Sequence, residues 1–148
     1  MKNQDLAISL VVDKSPAEVY AAINNVRGWW SGEIADPTDK IGGEWVYRYK
    51  DIHYSKQKTS ELVPNKTVAW EVTDSTLSFT EDKTEWTGTN VMFDISPKGK
   101  KTEIRFTHKG LDPTCECFEA CTGGWDYYIN TSLKSLIETG KGKPNPEW

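Results

Sequence analysis

Hydrophobic and polar residues alternate along several short stretches of the chain, which is the pattern of half-buried β-strands. Residues 5–13 carry four aliphatic side chains on one face of such a strand, and two small residues and a valine on the other. Six further stretches of this kind are predicted as strands: 44–50, 53–63, 67–73, 76–79, 86–96 and 102–108.

The predicted strands differ in character. Residues 53–63 are mostly polar, which favours a strand at the edge of a sheet. The sequence PKGK at 97–100 predicts a tight hairpin turn between the last two strands. A bulge at Gly88 would turn Trp86 inward and Glu85 outward, and without the bulge their orientations would be reversed. Both orientations remain open from the sequence.

Helical spacing begins directly after the first strand. Ser15 can cap a helix, Pro16 suits its first position, and Glu18 completes a capping box. An apolar stripe follows at Val19, Ala22, Ile23 and Val26. The glycines that bracket Trp29 and Trp30 predict a second short helix or a turn, with the two indoles anchoring it or forming the rim of a cavity.

The longest helical pattern lies near the C-terminus, from Thr114 to a stop at Gly140. At 100° per residue, one broad face carries Cys117, Phe118, Cys121, Trp125, Tyr128, Ile129, Ser132 and Leu136. Gly123 and Gly124 lower the helix propensity by about 2 kcal/mol together, so a kink is allowed there. An unbroken helix would be about 35 Å long, enough to cross a sheet.

The order of these elements predicts the fold class. A strand, two short helices, a run of antiparallel strands and a long helix are typical of an α+β domain with helices on one face of the sheet. The 148 residues contain no repeat, low-complexity segment or internal linker. We therefore predict a single domain over residues 1–148.

Composition and charge narrow the function. The chain has seven Trp, six Tyr and four Phe at a mean hydropathy of −0.64, so its apolar surface is concentrated in large rings that form either a core or a cavity wall. The net charge of −4 and the lack of a Lys/Arg cluster argue against binding to nucleic acid. No segment has the length of a transmembrane helix or the core of a signal peptide, so we expect a cytoplasmic protein without membrane insertion.

The three cysteines lie close together, and they raise the question of a metal or thiol site. Zinc needs about four ligands, and the spacing of Cys115, Cys117 and Cys121 matches no closed zinc pattern unless the two histidines contribute. A disulfide between Cys117 and Cys121 on one helix has poor geometry. Acidic neighbours oppose a reactive thiolate. We expect reduced thiols that act as small hydrophobes, and we predict no metal and no cofactor.

Several segments resemble a known family: SPAEVY, RGWW, ELVPNKTVAWEV, EWTGTNVMFDISPKGKKTEIRFTHKGL and CTGGWDYYINTSLKSLIETGKGKP. Together they resemble the START-like (SRPBCC, helix-grip) superfamily over residues 6–144, in a branch similar to the C-terminal domain of the heat-shock-protein ATPase activator. The resemblance implies a curved antiparallel β-sheet wrapped around a long C-terminal α-helix, with two short helices after the first strand. It also implies a cavity for an apolar molecule. Cochaperone activity belongs to longer relatives, so a chaperone partner has weaker support.

Strand alternation and helical spacing then give candidate residues for that cavity. The predicted ligand-binding set is Trp45, Tyr47, Trp70, Phe79, Phe93, Phe106, His108, Cys121, Trp125 and Tyr128, with no catalytic residue assigned. His108 is the one histidine that the alternation points inward. It is either a core residue with satisfied hydrogen bonds or a functional group.

Three functions follow from these observations. The first is a noncatalytic binder of a small hydrophobic or aromatic molecule. The second is a cyclase- or hydrolase-like enzyme that uses His108 with a hydroxyl such as that of Tyr47 or Tyr128, which requires His108 to open onto the cavity. The third is a chaperone-linked protein-interaction module, which requires an exposed patch on the outer face of the sheet.

Overall fold

A computed structural model of the chain describes residues 5–30, 33–35, 38–50, 52–78, 84–112, 114–115 and 118–144. It contains one curved seven-stranded antiparallel sheet and a long C-terminal helix, which confirms the predicted α+β helix-grip fold. The strands are β1 (Leu6–Val12), β2 (Glu33–Ala35), β3 (Glu44–Tyr49), β4 (His53–Val63), β5 (Thr67–Leu77), β6 (Asn90–Lys98) and β7 (Lys101–Lys109). Within the described ranges, no helix is long and apolar enough to cross a membrane.

The sheet joins the first and last strands of the chain. Its order is β1-β7-β6-β5-β4-β3-β2, and β1 pairs with β7 so that Leu6 lies opposite His108. The predicted hairpin at 97–100 is confirmed, since β6 and β7 close on a two-residue turn in which Gly99 has a φ of 64°. Glycine suits this turn because side chains disfavour positive φ.

The prediction that residues 53–63 form an edge strand is wrong. β4 lies between β3 and β5, and its inward residues Ser55, Gln57 and Thr59 are polar and each make at least one hydrogen bond, although Gln57 Oε1 has no partner among the described residues. Thr59, for example, accepts a hydrogen bond from Trp45 Nε1 at 3.2 Å and donates one to the carbonyl of Thr38 at 2.8 Å. Such bonds remove the cost of burying polar groups, so an interior strand tolerates them.

The two short helices after β1 are confirmed. Helix α1 (Pro16–Asn24) starts as predicted, with Ser15 Oγ accepting a hydrogen bond from the backbone N–H of Glu18 at 3.2 Å. A 3₁₀-helical turn (Val26–Gly28) follows and leads into Trp29 and Trp30. Both indoles are buried, and their rings stack at 6.1 Å between centroids.

The strands around β5 and β6 differ from the predicted bounds. β5 runs without a break to Leu77, so it includes most of the two strands predicted at 67–73 and 76–79. β6 starts at Asn90 rather than Trp86, because residues 84–88 form a turn in which Gly88 has a φ of 87°. This turn directs Trp86 into the core, where only 3% of it is exposed, and leaves Glu85 half-buried.

The C-terminal helix has three parts. An α-helix, α2 (Phe118–Tyr127), continues through a π-helical segment (Tyr128–Leu133) into α3 (Lys134–Thr139). The helix starts later than predicted, because Thr114 and Cys115 are not helical, and it ends as predicted at Gly140 with a φ of 84°. Wider π turns shift the buried stripe, so Leu133 and Ile137 are buried while Leu136 is only partly covered.

The segment after the helix is held in place, although the Pro-rich sequence predicts a loose tail. The N–H of Lys143 donates to Ser132 Oγ at 2.9 Å, and the Ser132 hydroxyl donates to the carbonyl of Trp29 at 2.7 Å. Gly142 packs so closely that an added Cβ would lie 1.9 Å from the carbonyl oxygen of Gly28. These contacts tie residues 141–144 to the core.

Candidate ligand-binding pocket

A pocket of about 490 Å³ lies between α2 and the end of the sheet where β3 turns into β4. Strands β3 and β4, the Trp86 turn and Trp30 form one side, and the helix forms the other. Its lining residues are Trp30, Tyr47, Tyr49, Ile52, His53, Trp86, Glu119, Ala120, Cys121, Gly123, Gly124, Trp125 and Tyr128.

The structure separates the predicted ligand-binding residues into three groups. Tyr47, Cys121, Trp125 and Tyr128 line the pocket. Phe79 lies outside the described residues. The remaining five are fully buried in the core and do not line it: Trp45, Trp70, Phe93, Phe106 and His108.

These five residues are covered because aromatic rings pack on one another across the sheet. Trp70 contacts the ring of Trp45 at 4.9 Å and that of Phe93 at 5.3 Å, both in edge-to-face geometry. Phe106 contacts Trp125 at 4.7 Å, so the helix seals this part of the sheet. Such ring pairs favour a filled core over a cavity.

Sequence reasoning missed most of the pocket wall. The sequence predicts Trp30 as an anchor or a rim residue and gives no fixed orientation for Trp86, yet both line the pocket. His53 is not among the residues predicted to point inward, although the alternation of β4 carries a signal: His53, Ser55 and Gln57 share one strand face. Helical spacing predicts that Gly123 faces away from the buried stripe, but the pocket extends along that side of the helix.

His108 is the most enclosed titratable group in the core. Its exposed fraction is 0%. Trp125 Nε1 donates to Nδ1 of the ring at 3.1 Å, and Nε2 lies 2.8 Å from Thr89 Oγ1. The Thr89 hydroxyl donates its own proton to the carbonyl of Trp86 at 2.6 Å, so it accepts the proton of His108 Nε2. The ring is therefore neutral, with its proton on Nε2.

This arrangement contradicts the hypothesis of an enzyme that uses His108. Both ring nitrogens are occupied, and burial lowers the pKa of His108 to about 3, with a further contribution from His53. A general base needs contact with the proton that it removes. His108 instead positions Trp125 and the Trp86 turn, which are parts of the pocket wall, as a core histidine with satisfied hydrogen bonds.

His53 is the second histidine, and it lines the pocket. Its ring stands perpendicular to those of Trp86 and Tyr47, with centroids 4.5 Å and 4.9 Å away. Nε2 lies 2.9 Å from Ser55 Oγ. Burial lowers the pKa of His53 well below its usual range, so this imidazole is also neutral near pH 7.

The cysteines of the described chain behave as packing groups. Cys121 is buried and its sulfur accepts a hydrogen bond from Trp86 Nε1 at 3.4 Å. Burial raises the pKa of the Cys115 thiol, which opposes thiolate chemistry. Cys117 lies outside the described residues. Among those that are described, no group of three or more His, Cys, Asp and Glu side chains could hold a metal ion.

Gly123 and Gly124 form part of the pocket wall on the helix. Neither has a positive φ, and a Cβ added at either would meet no atom within 4 Å outside the local helix backbone. Neither backbone conformation nor close packing therefore requires glycine at these positions. Their effect is to leave the helix backbone open to the pocket.

Comparisons with known proteins agree with this architecture. The family model of Activator of Hsp90 ATPase homolog 1-like proteins matches residues 13–138. The chain is 26% identical to Aha1 of Colwellia psychrerythraea, a dimer, over 94% of this chain and 99% of that one, with a TM-score of 0.75. No curated protein sequence matches the chain.

Two more distant structures share the fold alone. A protein of Mesorhizobium loti is 14% identical, with 90% of this chain and 96% of that chain covered and a TM-score of 0.72. A protein of Bacillus halodurans is 15% identical, with 93% and 100% covered and a TM-score of 0.67. The family match covers most of the sequence, and the sheet-and-helix architecture agrees with it. The chain thus belongs to the family of Activator of Hsp90 ATPase homolog 1-like proteins, within the START-like (SRPBCC) superfamily that its sequence resembles.

Proposed function

We propose that the protein binds a small, apolar aromatic molecule in the pocket between α2 and the β3–β4 end of the sheet. A volume of about 490 Å³ falls in the range of small-molecule sites, which are concave and mostly apolar. Six of the lining residues are Trp or Tyr. Such rings offer large flat surfaces against which another ring can stack.

The observation that carries this proposal is the pair of glycines in α2. Two glycines inside a helix cost about 2 kcal/mol relative to alanine, and nothing in the described packing requires them. Both line the pocket. A bound molecule that occupies the space beside the helix backbone would explain why the helix keeps this destabilising pair of glycines next to an open pocket.

We also propose that binding occurs without catalysis. His108 is enclosed, and the other histidine of the pocket, His53, has Ser55 as its hydrogen-bond partner. Ser55 is fully buried beneath the imidazole and does not line the pocket. A substrate in the pocket would not reach its hydroxyl, so the two residues do not form a working nucleophile and base.

A fluorescence titration with the neutral probe N-phenyl-1-naphthylamine tests the proposal. Trp30, Trp86 and Trp125 line the pocket, so a bound probe will quench their emission by energy transfer, with saturation at one probe per chain. Ala120→Phe fills the pocket from the helix side and should abolish saturable binding. Ala21→Phe is the matched control, because Ala21 is also an exposed helical alanine but lines no part of this pocket.

Two results would contradict the proposal. One is an unsaturable probe signal in the wild-type protein. The other is equal binding by the Ala120 and Ala21 variants, which would place the probe elsewhere. Native mass spectrometry of the protein purified from its own host is a separate measurement, which would identify the chemical class of any molecule that copurifies.

A chaperone partner, suggested by the family, has less support in the surface of the described chain. The exposed large hydrophobic residues there come from four separate segments of the chain: Val11 in β1, Ile41 and Ile52 in the turns on either side of β3, and Val63 at the end of β4. Ile52 belongs to the pocket rim. A chaperone-linked role and a cytoplasmic location therefore remain predictions from sequence.

A further inference from the structure

A row of polar side chains follows the inner face of β4 beside the pocket. His53 lines the pocket, and Ser55 and Gln57 continue the row at 0% exposure. Buried polar groups are nearly always hydrogen-bonded, so the directions of their hydrogen bonds can be worked out from the donors and acceptors present.

The directions start from Gln57. Its Nε2 donates to Ser55 Oγ at 2.7 Å, while the Oε1 of the same amide is buried without a partner among the described residues. The Ser55 hydroxyl has one proton of its own to donate, and its second contact is His53 Nε2 at 2.9 Å. If His53 Nε2 carried a proton, Ser55 Oγ would accept hydrogen bonds from both Gln57 and His53. The buried hydroxyl proton of Ser55 would then have no acceptor in either contact, which is costly. Ser55 therefore donates to Nε2.

The proton of the neutral His53 ring is consequently on Nδ1. Within the described residues, the ring's hydrogen bond is the one to Ser55, so the Nδ1–H group has no partner there. The edge-to-face contacts with Trp86 and Tyr47 hold the ring in a fixed orientation. A preoriented donor on the pocket wall is suited to a bound acceptor.

The other groups in the wall limit the charge of that acceptor. The indole N–H groups of Trp86 and Trp125 are already bonded, to Cys121 Sγ and His108 Nδ1. The described lining includes no Lys or Arg, so an anion would have no countercharge and would be costly to bury. Glu119 is exposed at the rim.

We infer that His53 is the specificity-determining residue of the pocket, and that it selects an uncharged aromatic molecule carrying a hydrogen-bond acceptor such as a carbonyl oxygen. The acceptor binds Nδ1–H, and the ring system packs against Trp86 and Tyr128. This inference rests on the proposed function and adds the class of ligand. Ser55 acts as a positioning residue, since it fixes the tautomer.

The test compares two probes of the same shape, 2-acetylnaphthalene and 2-isopropylnaphthalene, which differ in the carbonyl oxygen. Their affinity ratio is measured in the wild type, in His53→Phe and in Tyr54→Phe. We expect His53→Phe to lower the preference for the ketone about tenfold, the effect of one hydrogen bond. Tyr54→Phe, which removes the hydroxyl of the next residue in β4 but lies outside the pocket lining, should leave the ratio unchanged.

An imidazole ¹⁵N spectrum of the ligand-free wild type gives a second measurement that does not depend on the variant's folding. It should show the His53 proton on Nδ1 and the His108 proton on Nε2. A proton on His53 Nε2, or an equal ratio in the wild type and His53→Phe, overturns the inference while leaving probe binding intact. If neither naphthalene binds the wild type, the proposed function fails together with the inference.

Discussion

Replacing Gly124 by alanine should stabilise the protein and weaken ligand binding at the same time. The added Cβ meets no atom within 4 Å outside the local helix backbone, and the residue has no positive φ. The folded state therefore accepts alanine without strain. Alanine exceeds glycine in helix propensity by about 1 kcal/mol in a helix interior, which for a chain of 148 residues raises Tm by about 2–4 °C.

Binding should change in the opposite direction because the same methyl group enters the pocket wall. A ligand that packs against the open backbone has to shift or leave a gap, and poor packing of this kind costs about 1–3 kcal/mol. That corresponds to a loss of affinity of about 5- to 150-fold. Gly123→Ala should have the same sign of effect on both quantities.

The assay combines urea unfolding with the probe titration on the same protein samples. Gly140→Ala is the control for the stability measurement, because Gly140 has a φ of 84° and lines no part of the pocket. It should destabilise the protein and leave probe affinity unchanged. A loss of stability in Gly124→Ala would refute the conclusion that the folded helix accepts alanine at this position without strain. A stabilised variant with wild-type affinity would show that the glycine does not serve ligand binding.

Three further predictions concern the core behind the pocket. Because the pKa values of His108 and His53 are each about 3 when folded and 6.5 when unfolded, the unfolded state binds more protons between these values, and each histidine should lower stability by up to about 1.4 kcal/mol per unit as pH drops from 6.5 to 3. Urea melts against pH should show a flatter profile for His108→Gln. Gly142→Ala places a Cβ 1.9 Å from the Gly28 carbonyl oxygen, so it should release residues 141–144 and lower the hydrogen-exchange protection of their amides. Thr89→Val removes the acceptor of His108 Nε2–H and should cost about 1–3 kcal/mol in chemical denaturation, whereas Thr87→Val at an exposed site should cost less.

The order of the main elements was predictable from the sequence because their signals are local, whereas the three-residue strand β2 was not predicted. The box at Ser15 and Glu18 forms within one helical turn, and the hairpin at Gly99 needs only its own residues. The place of β4 in the sheet was not predictable in the same way. A polar inner face is typical of an edge strand. In β4, however, Thr59 hydrogen-bonds with Trp45 and with the carbonyl of Thr38, which lie far away in the sequence.

The pocket was less predictable than the fold, because strand alternation gives the face of a side chain but not what covers it. Trp70 and Tyr47 both point inward, yet only Tyr47 reaches the pocket, since the helix and Phe93 close over the middle of the sheet. Trp86 comes from a turn with a positive-φ glycine, and alternation does not extend through such a turn. The position of a cavity depends on the sum of all packed volumes, and no local pattern contains that sum.

The two histidines show the same limit in chemical terms. The predicted alternation points His108 inward and leaves His53 without a predicted inward direction, although their residue type alone suggests the same chemistry for both. Their partners separate them. Trp125 and Thr89 occupy both nitrogens of His108, whereas Ser55 occupies one nitrogen of His53, a residue of the pocket lining, and the other has no partner among the described residues. The hydrogen-bond partners of His108 lie more than fifteen positions away in the sequence, whereas Ser55 lies two positions from His53. A sequence pattern therefore selects His108, which the structure encloses, whereas the hydrogen-bond directions favour His53 as the histidine that we propose to meet a ligand.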